Sequence, residues 1–100
     1  IAGTNRADVI LALGKLKEPR AEPLLIEALQ DPTWQVRMNA AMALSVVGGA
    51  ASVEPLESTL HDEVNVVREW SARTLEILTG KRYHYRNETG EVVLPYNIYH

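Results

Sequence analysis

Leu29-Gln30-Asp31-Pro32-Thr33-Trp34-Gln35-Val36-Arg37 returns 31 residues later as Leu60-His61-Asp62-Glu63-Val64-Asn65-Val66-Val67-Arg68. The echo runs on through Ala41 and Ala72, Leu44 and Leu75, and Gly49 and Gly80. A fixed period of this size marks units that cannot bury their apolar face alone and must stack on neighbours. Two antiparallel helices and two short turns fit in 31 residues. Small residues at Ala40, Ala41, Ala43, Ser71 and Ala72 allow the close approach that such stacking needs.

Working outward, Val9, Ile10, Leu13 and Leu16 recur at helical spacing, which predicts a helix over residues 5–16 started by Thr4 or Asn5. Glu18-Pro19 breaks it. A second helix is predicted over 20–30, with Pro23 in its first turn. A third is expected over 33–47, capped by an Asp or Thr of Asp31-Pro32-Thr33 and ended by Gly48-Gly49 turning left-handed. The fourth is placed at 51–60 with Pro55 early, and the fifth at 64–78, stopped by Thr79-Gly80. Glu22-Pro23-Leu24 recurs as Glu54-Pro55-Leu56 at 32 residues rather than 31, so one helix start has slipped.

The domain division follows: helical repeats over 1–80, and a non-repeating extension over 81–100 that holds all four tyrosines. Within the extension, Asn87-Glu88-Thr89-Gly90 is a turn cluster between strand-compatible segments 82–86 and 91–94. A short β-hairpin is expected there, an extended tail over the last helices being the alternative. As a cap on the solenoid's end, its buried side would come from Val92, Val93, Leu94 and Tyr96.

The run Asp31-Pro32-Thr33-Trp34-Gln35-Val36-Arg37, followed by Ala40-Ala41-x-Ala43-Leu44, resembles the HEAT-like repeats of the phycobilisome-lyase type. So does Asp62 with Val67-Arg68, Ser71-Ala72 and Leu75. The resemblance covers residues 5–80. It implies an all-α HEAT-like α-solenoid of about five helices in antiparallel pairs, the second helices lining its concave side. It also implies that Asp31 and Asp62 cap helices and pair with Arg37 and Arg68 in a ladder between repeats.

Catalysis finds no support. No Cys is present, no Ser sits in a Gly-x-Ser-x-Gly turn, and Gly48-Gly49 lacks the Lys-Ser/Thr of a phosphate loop. His61, His84 and His100 are not followed by Glu, so the repeated His-Glu pairs of a di-iron hydroxylase are missing. The reading is therefore no catalytic residue, no metal ligand and no cofactor. The formal charge of −3 argues against nucleic acid, and residues 1–80 are the acidic part, with seven Lys/Arg against eleven Asp/Glu. No apolar run suits a membrane span and no leader is visible, which leads us to expect a cytoplasmic protein.

What remains is a protein partner. Glu22, Glu27, Gln30, Glu54, Glu57, Ser58 and His61 would line an acidic, polar face of the second helices. Trp34 and Trp70 are candidate anchors, buried or at an interface; Trp70 stands where the preceding copy has Asn39. Tyr83 and Tyr85, interleaved with cations in Lys81-Arg82-Tyr83-His84-Tyr85-Arg86, complete the candidate surface. The expected role is a non-catalytic protein–protein interaction or scaffold module. The resemblance implies an alternative, an accessory subunit of a bilin-type attaching lyase. An uncapped first helix leaves room for pairing of two copies as a homodimer.

Overall fold

The structure, a computed structural model, describes residues 6–95. Five helices follow one another: α1 (Arg6–Lys15), α2 (Glu22–Ala28), α3 (Trp34–Val47), α4 (Ala50–Thr59) and α5 (Asn65–Thr79). Two short strands, β1 (Tyr85–Arg86) and β2 (Val92–Val93), then form an antiparallel hairpin with Tyr85 opposite Val93 and Arg86 opposite Val92. The fold is thus the expected helical solenoid with a short hairpin.

α3 lies between α1 and α5 in one layer, while α2 packs on α3 and α4 on α5 in the other. The centre is built from Leu25, Leu44, Leu56 and Leu75, all fully buried. Each such leucine contributes about 1.5–3 kcal/mol relative to exposure. Leu44 and Leu75 are repeat partners, as are Leu25 and Leu56, so the buried positions keep the 31-residue register. The 32-residue spacing of the two Glu-Pro-Leu triplets therefore moves each proline to a different depth in its helix. Pro23 lies in the first turn of α2, after a single 3-10 turn at Pro19–Ala21, whereas Pro55 lies inside α4. A proline at 23 has no N–H to give the carbonyl of Pro19, and the Glu22 amide bonds it instead, three residues on. That is why the helix predicted over 20–30 splits.

Two polar side chains bond carbonyls of the preceding helix in the first layer. Asn39 Nδ2 donates to Ala7 O at 2.8 Å and Thr74 Oγ1 to Ala41 O at 2.7 Å. Both are buried, and each satisfied bond fixes the axial position of one helix against the next.

The aspartates act differently from the helix caps expected of them. Asp31 Oδ1 accepts from the Thr33 amide and Asp62 Oδ1 from the Val64 amide, each at 2.9 Å. They thus fix the turn ahead of the helix, and neither N-cap residue, Thr33 or Val64, makes a side-chain capping bond. The ladder exists. Arg37 grips Asp62 with Nε and Nη2 at 2.8 and 3.1 Å, and Arg6 Nη2 meets Asp31 at 3.1 Å. Arg68 donates to Arg86 O at 2.6 Å and Asn87 O at 3.3 Å, so the hairpin stands where another aspartate would be.

Two expectations are corrected. Gly48 ends α3 in an extended conformation, not a left-handed one; a Cβ there would fall 2.5 Å from Leu44 O. Gly80 ends α5 left-handed, at φ 75°. In the hairpin, Val92 is 60% and Leu94 36% exposed, so neither forms the buried side. Strand side chains alternate, and pairing Tyr85 with Val93 turns these two toward the protein and leaves Arg86 and Val92 outside. Partly buried Tyr83 and buried Pro95 add to the covered side. The expected roles of Thr4, Asn5 and Tyr96 fall outside the described residues.

Candidate interaction surface

The second layer presents the acidic face. Gln30, Glu54 and Ser58 come together around a groove of about 250 Å³ between α2 and α4, floored by Ile26, Leu29 and Thr59. Glu27 and Glu57 are exposed on the same two helices. Tyr83 reaches this side, its hydroxyl donating to Glu57 Oε2 at 3.2 Å. The segment ahead of β1 thereby joins the ridge, as the grouping of Tyr83 with its glutamates expected.

Glu22 belongs to the framework instead. Its Oε2 accepts from the Gly49 amide at 2.8 Å and from Ser52 Oγ at 2.6 Å. Gly49 is the N-cap residue of α4 and supplies no side chain, so a glutamate from α2 satisfies the start of the next helix. The negative charge there also favours the positive end of the helix dipole.

The other candidates stand apart. Trp34 is exposed at the start of α3, and His61 is exposed in the turn after α4. Trp70 is partly buried against the core, with the Arg73 guanidinium 5.2 Å from its ring centre. Glu69 also binds that guanidinium, at 3.1 Å. Tyr85 packs over α5; burial first, then the negative charge of Glu69, raises its hydroxyl above the usual tyrosine range. The eleven candidates therefore divide into a ridge, two isolated exposed side chains, a framework carboxylate, and two aromatics, Trp70 on α5 and Tyr85 packed over it.

One feature escaped the sequence reading. An apolar groove of about 390 Å³ opens in the first layer, with Leu11 and Lys15 on one wall and Met42, Val46 and Trp70 on the other. The available signal was the Lys15-Leu16-Lys17 doublet of cations in an acidic chain. Among the described residues, no cluster of His, Asp and Glu is arranged to hold a metal ion, and no helix is long and apolar enough to cross a membrane.

Residues 3–76 match the family described as HEAT repeats. The phycocyanobilin lyase subunit alpha of Picosynechococcus sp. is 37% identical over 75 residues, a match that covers 68% of this chain. The chain spans 28% of that relative's length.

Proposed function

Since the chain belongs to the HEAT-repeat family, we propose that it is a non-catalytic protein–protein interaction module whose α2–α4 ridge binds a protein of basic surface. The observation that carries this reading is the exposed set Glu27, Glu54 and Glu57 on α2 and α4, with Glu54 lining a groove that no cation among the described residues lines. An acidic ridge attracts a basic partner and repels phosphate, so nucleic acid is not the partner. The reading assigns no catalytic group and no cofactor, and places the protein in the cytoplasm. Pairing of two copies is compatible with it.

A photo-crosslinking residue at Gln30, used in the source cell, tests the ridge. A crosslinked protein that disappears with Glu27→Lys/Glu54→Lys supports it; no crosslink, or one indifferent to the charge reversal, refutes it.

The name of the relative favours a second reading, an accessory subunit of a bilin-attaching lyase. That reading predicts a spectral shift when a bilin is titrated into the protein, and an unchanged spectrum removes it.

A further inference from the structure

All seven arginines of this chain are engaged. Arg6, Arg20, Arg37, Arg73 and Arg82 pair with carboxylates, while Arg68 and Arg86 donate to backbone carbonyls. Among the described residues, the cationic side chains with neither an ion pair nor a hydrogen bond are the three lysines, and two of them, Lys15 and Lys17, line the first-layer groove. Among the described residues no carboxylate lines it, in a chain whose net charge is −3. Nor does any residue of α2 or α4, so this groove is separate from the acidic ridge.

The shape suits a helix. Leu11 and Lys15 stand one turn apart on α1, and Met42 and Val46 one turn apart on α3, giving two rows along neighbouring helices. Between the rows the floor is Gly14 and Ala43, which pack directly on each other and close the bottom of the groove without projecting into it. Val46 is 53% exposed, an apolar wall that the fold itself does not bury. Trp70 closes the far side, its ring held by the Arg73 guanidinium. Lys17 adopts φ 54°, the left-handed region where glycine is the ordinary helix-ending residue. Keeping a lysine there costs about 1 kcal/mol and sets an amine at the end of the groove.

We propose that this groove docks an amphipathic helix of a partner protein, with an apolar stripe laid between α1 and α3 and carboxylates on its flank meeting Lys15 and Lys17. The proposal extends the interaction-module reading to a second surface of opposite charge preference.

The probe is a synthetic helical peptide with leucines along one stripe and glutamates beside it, labelled for fluorescence anisotropy. Its twin carries lysines in place of the glutamates. We expect the acidic peptide to bind the Trp34→Phe protein, shifting the emission of Trp70, and the lysine twin to bind at least about tenfold more weakly. Lys15→Glu/Lys17→Glu and Val46→Asp each weaken the acidic peptide by about tenfold or more, with unchanged melting because these side chains are exposed. Glu27→Lys/Glu54→Lys on the ridge leaves its affinity within about twofold, which separates this surface from the ridge. No binding at millimolar peptide, equal binding of both peptides, or sensitivity to the ridge substitutions alone overturns the proposal. So does a concentration-dependent dimer abolished by Val46→Asp, which would make a second copy the occupant.

Discussion

Replacing Arg37 with methionine removes the central rung of the ladder and leaves its aspartate in place. The guanidinium makes two bonds to Asp62, at 2.8 and 3.1 Å, and one to Asp31 O at 2.7 Å. The two side chains are only 11% and 9% exposed. Losing one partner of such a pair strands the other charge where water reaches it poorly, at a cost of about 3–5 kcal/mol. Asp62 keeps the Val64 amide, which places the expected loss near the lower end. A loss of about 3 kcal/mol lowers Tm by about 12–24 °C in a domain of this size. The preceding rung supplies the control, since Arg6 is 70% exposed there and its pair with Asp31 is worth less than about 1 kcal/mol. Urea unfolding followed by circular dichroism reads both, and a cycle with Asp62→Asn isolates the pair, with an expected coupling of about 1–3 kcal/mol. Equal losses for Arg37→Met and Arg6→Met, or a coupling below about 0.5 kcal/mol, would refute the reasoning.

Two further outcomes are expected. Gly14→Ala places a Cβ 2.6 Å from Ala43 Cβ and 2.9 Å from its Cα, so α1 and α3 must part. It should destabilise by about 1–3 kcal/mol in a thermal melt, and the gain of about 1 kcal/mol usual for alanine over glycine inside a helix would show the approach to be loose. For Tyr85, the raised hydroxyl pKa means that the folded protein favours the neutral ring. That stability is complete below the unfolded tyrosine pKa near 10, and it is lost as pH rises through the higher folded value. Urea midpoints compared between about pH 9 and 11 should fall less steeply for Tyr85→Phe than for the parent, and parallel slopes would disprove the assignment.

Most of the architecture was legible because the repeat writes each unit twice. Asp31 and Asp62, Leu44 and Leu75, and the glycines after the long helices placed α3 and α5 to within about two residues. The depth of each proline was not legible, since the Glu-Pro-Leu triplets suggested similar helix starts while the buried register followed Leu25 and Leu56. Nor could spacing say which arginine meets which aspartate. Arg6 lies 31 residues before Arg37 and completes the series, yet its partner depends on how the helices stack. At the candidate surface, exposure separated Glu27 and Glu54 from Glu22 only once Gly49 was seen to need an acceptor. The first-layer groove was hidden for a related reason. Its residues come from three helices, and local periodicity describes one helix at a time.

The way the last rung is closed bears on how such an array tolerates change. Arg37 depends on a carboxylate, whereas Arg68 is satisfied by the carbonyls of Arg86 and Asn87, which every amino acid supplies. Termination is therefore written in backbone shape and not in residue identity. Any segment able to fold a tight turn beside α5 can serve that rung, so outward-facing Val92 is free to drift, or to acquire a binding task, while Tyr85 and Val93, which face the protein, and Asp62, which holds Arg37, are not.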